Sequence, residues 1–216
     1  MIAKGLPMTT RRWRWPRWTL LFGFAAPAIV AAGVLVASVR NRAVNPIHQS
    51  ISLLMDGPGR DLLEASLLVA GGCVLWTAWA MFRGVSHGVS LALSQGILGL
   101  GVMATGAFMQ HHLPRPHQWA VPSPWGPLTP VGLVHVAAAT VLYAALVGTC
   151  AAVLARARGR AVKGLAFGTG IALVLLLALF LVTAVLHGPS GLFERLVAAV
   201  GIGWEYGFLF IVWHWF

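Results

Sequence analysis

Six uninterrupted apolar runs, each close to twenty residues long, constrain this chain more than any other feature. They cover roughly 18–39, 62–82, 89–109, 131–155, 165–186 and 192–215. A helix rises about 1.5 Å per residue, so a run of this length matches the ~30 Å hydrocarbon core of a bilayer. The runs are continuous rather than alternating, and too long for single barrel strands, so helices are expected. Charged residues make up only 9% of the 216, too few to cover a water-soluble surface. The predicted fold class is therefore all-α, a polytopic membrane bundle of six transmembrane helices. Residues 1–17 read as a basic, aromatic amino-terminal stretch and 18–216 as the transmembrane domain.

The net charge of +10 would suit nucleic acid only if the bases gathered on one wet face. They sit instead in the polar connections of an apolar chain, so the expected partner is the lipid bilayer, with no nucleic acid. Ten bases flank alternate span ends: Lys4, Arg11, Arg12, Arg14, Arg17, Arg83, Arg156, Arg158, Arg160 and Lys163. Five lie on the other side, Arg40, Arg42, Arg60, Arg115 and Arg195, together with Asp56, Asp61, Glu64 and Glu194. Excess Lys and Arg marks the cytoplasmic side. A multi-pass protein of the plasma (inner) membrane with both termini cytoplasmic is expected. Trp13, Trp15 and Trp18, with Trp213 and Trp215 at the other end of the chain, suit anchoring at that inner interface. Thr10-Arg11-Arg12 is similar to a twin-arginine export signal, but the apolar run behind it is too long for a signal core. A retained first helix is expected. Cys73 and Cys150 lie in separate runs without ligand or redox spacing and read as small hydrophobes.

Short motifs follow one another across most of the chain. Asn45-Pro46-Ile47-His48-Gln49-Ser50-Ile51-Ser52-Leu53 follows the first span, and Gly106-Ala107-Phe108 closes the third. Gly132-Leu133-Val134-His135 opens the fourth, and Gly191-Leu192-Phe193-Glu194-Arg195-Leu196, then Trp204, belong to the sixth. In this order the chain resembles a bacterial and archaeal six-span membrane family known as domain of unknown function nine-nine-eight. The resemblance implies six helices and a plasma-membrane location, and no reaction. Members of that family tend to carry an acid, often Asp-Pro, just after Gly-x-Phe. This chain reads Met109-Gln110-His111-His112 there, so imidazole stands in the place of the acid.

On the expected topology His48, His111, His112, His117, His135 and His187 face outward. His111 and His112 end the third span and His135 begins the fourth, at a shared depth. Neutral imidazole ligates Zn and Cu and also holds haem iron, so His111, His112 and His135 are candidate metal or haem ligands. Without an HExxH-type spacing, the blander reading is a set of interfacial polar residues beside a proline-rich loop. Ser52, His135, Glu194 and Arg195 are candidates for a polar outer-face pocket. Glu194-Arg195 reads as an ion pair fixing the start of the sixth helix or as a binding site, with His135 a candidate partner. Ser52 belongs to a loop long enough to fold over that mouth.

Glu205 lies about halfway along the sixth span, where an ionised carboxylate is costly and needs a partner. Tyr143 falls at a similar depth, and a Tyr143–Glu205 hydrogen bond is expected. Gly203 with Gly207, Gly164 with Gly168, and Gly96, Gly99, Gly101 and Gly106 read as sites of close helix approach. Three functional classes stand open. One is a membrane protein binding a small or lipid-like ligand in its outer pocket, or supporting other membrane subunits. The second is a metalloenzyme or a haem- or pigment-binding redox protein using the histidines. The third is a proton-coupled secondary transporter using Glu205.

The orientation has a direct test. In a background lacking Cys73 and Cys150, Ser123→Cys should react with a membrane-impermeant thiol reagent in intact cells. Arg158→Cys should react only after lysis, and the reverse pattern would invert the topology.

Overall fold

A computed structural model of the protein describes residues 17–84, 89–108 and 130–215. Six long helices account for most of them: α1 (Leu21–Arg40), α2 (Arg60–Gly84), α3 (Val89–Ala107), α4 (Pro130–Arg156), α5 (Arg160–Val185) and α6 (Ser190–Trp215). All six are long and apolar enough to cross a membrane, and no strand occurs among the described residues. The chain is a multi-pass membrane protein. A 3-10 turn at Arg17–Leu20 leads into α1, and a second 3-10 helix, Ile51–Asp56, lies between α1 and α2.

Helix ends extend past the apolar runs where side chains allow it. Pro130 opens α4, a position where its missing N–H costs nothing. α5 begins at Arg160, several residues before its apolar run, so Arg160 and Lys163 belong to the helix rather than to a loop. Their long aliphatic stems let the charges reach the interface from a helical backbone. Pro27 sits inside α1 without ending it.

Each helix packs on its successor, and α1 returns against α6, closing a ring. Lipid is as apolar as leucine, so such helices associate through close packing rather than through hydrophobic exclusion from water. The tight crossings run along α3. A Cβ on Gly71 would stand 2.7 Å from the Gly99 carbonyl, and one on Gly99 would stand 3.0 Å from the Gly71 carbonyl. On the other side, Gly101 lies against the Leu142 backbone, where a Cβ would meet Cα at 3.0 Å. Gly106 abuts Leu67 of α2. Between α4 and α6, Trp204 Nε1–H donates to Thr149 Oγ1 at 2.6 Å, both groups being buried. Cys150 is buried and Cys73 half-buried, both as free thiols within the apolar packing.

α5 stands apart. It packs on α4 and α6 alone and buries only Ala166, Leu173 and Ala184. The expected close approach at Gly164 and Gly168 does not occur, because a Cβ at either would meet nothing within 4 Å. Gly203 is equally open, and Gly207 only reaches Leu165 at 4.0 Å. These glycines present surface outward, where lipid accepts them without a partner helix.

Opposite outcomes are therefore expected for two similar substitutions. Gly101→Leu should cost about 1–3 kcal/mol by overpacking the α3–α4 crossing. Gly168→Leu should stay within ~0.5 kcal/mol. Thermal unfolding of the detergent-solubilised variants measures both.

Candidate functional site

The segment between α1 and α2 is held against the start of α6, and that attachment builds the site. Asn45 shapes the segment first: its Oδ1 accepts from Ile47 N–H at 2.9 Å, and Gln49 Oε1 accepts from Asn45 N–H. The turn so formed leaves carbonyls pointing toward α6. Leu192 N–H donates to Ile47 O at 2.9 Å, and Ser190 Oγ donates to His48 O at 3.2 Å. Arg195 Nη1 donates to Pro46 O, Gln49 O and Gly191 O at 2.9, 2.8 and 3.0 Å. Gly191 is required at this seam, since a Cβ there would collide with the Gln49 backbone.

One residue earlier, Glu194 turns the other way. Its Oε2 accepts from Ile51 N–H at 2.6 Å, the side chain being buried at 7% exposure. Glu194 and Arg195 thus make no ion pair with each other, contrary to expectation. Each charge is taken up by backbone of the opposite polarity, which lies nearer than the neighbouring side chain.

Ser52 follows immediately and meets α4. Ser52 Oγ lies 2.9 Å from His135 Nε2, while His135 Nδ1 lies 2.7 Å from Phe108 O and 3.0 Å from Thr105 O. Two carbonyls can only accept, so Nδ1 carries the proton. Nε2 then presents a lone pair, and the Ser52 hydroxyl donates to it. His135 does not reach Glu194, its expected partner. The two are instead linked through consecutive residues, Ile51 and Ser52. With both nitrogens engaged inside the chain, His135 has no lone pair left for a metal. His111 and His112, proposed as its co-ligands, lie outside the described residues. Among those residues no group of three His, Cys, Asp or Glu side chains stands close enough to hold an ion.

Below this polar cluster lies a partly open cavity of about 160 Å³ lined by α1, α2, α3, α4, α6 and the 3-10 helix. Its wall is mostly apolar, with Pro27, Leu63, Val102 and Leu146 among its members. Ser52, His135 and Glu194 face it at one end, Tyr143 lines its side, and Glu205 lies deeper. Glu205 follows Glu194 by eleven positions along α6, or ~16 Å along the axis.

Glu205 is buried and paired, but not with Tyr143. Gln95 Nε2 donates to both carboxyl oxygens, at 3.2 and 3.0 Å. Tyr143 lines the cavity nearer its Glu194 end, because the α4 residues level with Trp204 and Glu205 are Thr149 and Cys150 rather than Tyr143. Gln95 is a functional candidate that sequence reasoning passed over, although a lone amide in the middle of an apolar span was visible. The backbone acceptors at Thr105 and Phe108 had one signal, the end of the third span, where the last carbonyls of a helix lack partners.

The attachment of the 45–50 segment should depend on Arg195. Hydrogen bonds from a charged donor each contribute about 1.5–3 kcal/mol at most sites, so Arg195→Ala should destabilise by roughly 2 kcal/mol. Arg195→Lys should recover only part of it, because an ammonium cannot match the geometry of a guanidinium fork. Thermal unfolding together with limited proteolysis between Arg42 and Gly57 measures both effects.

A family model described as a protein of unknown function (DUF998) matches residues 24–210. Comparison with curated proteins and with solved structures gives no match.

Proposed function

The chain belongs to the DUF998 family, a membership that carries no reaction with it, and from its cavity we propose that it binds one lipid-like amphipathic molecule. The apolar part would occupy the space between α1, α2, α3, α4 and α6. The polar group would meet Ser52, His135 and Glu194. The observation that carries this reading is one largely apolar cavity of about 160 Å³ with Ser52, His135 and Glu194 together at one end and the Gln95-bound Glu205 deeper. A dry apolar cavity of ~150 Å³ accepts a benzene-sized group, so this one accommodates part of an alkyl chain.

Recognition rests on the polar end. Moving an alkyl chain from lipid into an apolar cavity gains little, because both surroundings are alike. Glu194 Oε1 takes no hydrogen bond among the described residues, whereas Oε2 is committed to Ile51. A free acceptor at the rim favours a headgroup with a hydroxyl donor, such as a monoacylglycerol. The distribution of bases supports placing this end in the outer leaflet of the plasma membrane, with both termini cytoplasmic. The double engagement of His135 favours an organic ligand over a metal ion.

A diazirine-bearing long-chain monoacylglycerol should cross-link to cavity-lining peptides of the purified protein. Ala198→Phe and Ala139→Phe, which fill the cavity from α6 and from α4, should each abolish that cross-link while the protein still unfolds cooperatively. Cross-linking confined to lipid-facing residues of α5 in the wild type would reject the cavity as the binding site.

A further inference from the structure

We infer that Ser52 is an acyl-accepting nucleophile and His135 its general base, so that the cavity cleaves a long-chain acyl ester rather than only holding it. The inference rests on the binding reading above and adds a reaction to it.

Three features of the Ser52–His135 contact go beyond a strut between two segments. The first is the direction of the proton. Nδ1–H is fixed by the Thr105 and Phe108 carbonyls, leaving Nε2 as an acceptor 2.9 Å from Ser52 Oγ. A hydroxyl donating to an imidazole that a third group holds in one tautomer is the arrangement of an activated nucleophile. Here two main-chain carbonyls occupy the place that a carboxylate has in the familiar triad.

The second is the field at the imidazole. Thr105 and Phe108 stand at the carboxy-terminal end of α3, whose carbonyls carry the negative end of the helix dipole. That end points at the ring that becomes cationic when it takes the serine proton. His135 is 1% exposed, so little water screens this interaction. The third is access. Ser52 and His135 both line the cavity, and the Ser52 N–H has no hydrogen-bond partner among the described residues. The nucleophile's own amide is thus free to donate to an oxyanion formed beside it.

The chemistry closes without a cofactor. Ser52 Oγ attacks the ester carbonyl carbon as its proton passes to His135 Nε2. Collapse of the tetrahedral intermediate breaks the bond to the alkoxy oxygen, which takes that proton and leaves as the alcohol. Water then attacks the acyl-serine, giving a proton to Nε2. Oγ departs with that proton, and the carboxylic acid is released. Glu194 and Arg195 act as positioning residues, holding residues 46–51 so that Ser52 stays on His135.

The test uses the full chain in detergent with a long-chain alkyl fluorophosphonate, read as a mass adduct on the Ser52 peptide. Wild type should label. Ser52→Ala should not label at that peptide, and His135→Gln should label roughly a hundredfold more slowly, as loss of a general base predicts. Ser52→Cys keeps a nucleophile in place and should react with a long-chain iodoacetamide in a His135-dependent way. Cross-linking of wild type by the diazirine monoacylglycerol reads binding separately from the Ser52 adduct. Cross-linking without any Ser52 adduct in wild type would overturn the reaction and leave the binding reading standing. Loss of both in wild type would remove the binding reading and the reaction with it. Labelling of His135→Gln at the wild-type rate would refute His135 as the base.

Discussion

Non-helical backbone at the edge of a bilayer needs donors and acceptors from within the protein, and in this chain Arg195 supplies the donors. Its guanidinium serves carbonyls at Pro46, Gln49 and Gly191, two of which belong to a segment that no helix organises. Inside hydrocarbon such carbonyls would find no water, so donors from the protein let the segment stay at the membrane edge. Glu194 does the complementary service for the Ile51 N–H. Two adjacent residues of opposite charge therefore satisfy opposite backbone polarities, and the 3-10 helix that begins at Ile51 is set in place against α1, α2 and α6, with Ser52 reaching His135 of α4. The position of Ser52, and so the character of the cavity mouth, follows from that seam.

The cavity is polar at both ends and apolar between them. At the mouth the polar atoms come from three separate stretches of chain, while below they reduce to Glu205 held by Gln95. A carboxyl group bound by one amide inside the bundle is costly to place, and here it ties α3 to α6, which do not otherwise pack together among the described residues. The mouth is different, since Ser52, His135 and Glu194 retain cavity-facing atoms beyond their internal bonds. The proposed chemistry therefore sits at the mouth, with Glu205 and Gln95 as the floor beneath it.

Spans, the resemblance and the participating residue types were all readable from the sequence, because hydropathy and motif order are local properties. Partners were not. Glu194 and Arg195 look like a pair when only side chains are considered, but every residue brings a carbonyl and an N–H that composition does not display. Depth along a helix was legible only roughly: counting from the span ends set Tyr143 level with Glu205, whereas Thr149 is the α4 residue that meets Trp204 beside it. Which way each faced was not, because a membrane helix is apolar both toward lipid and toward its neighbours and carries no stripe to orient it. The glycines make the same point: Gly99 and Gly101 meet backbone, whereas Gly164 and Gly168 meet nothing. Identical spacing rules read all of them alike.

Because α6 closes the ring against α1, the mouth joins stretches that leave the ribosome far apart in time. Ile51 and Glu194 are separated by 143 positions, and Pro46 and Arg195 by 149. Helices α1 to α5 must enter the membrane while the 45–56 segment still lacks its donors. During that interval its carbonyls need interfacial water in place of the Arg195 donors. The final helix supplies Glu194, Arg195 and Glu205 together, so attachment of the segment, closure of the ring and completion of the cavity form one late step. Until α6 is in place, Ser52 and His135 lack the contacts of Glu194 and Arg195 that hold the 46–51 segment in register.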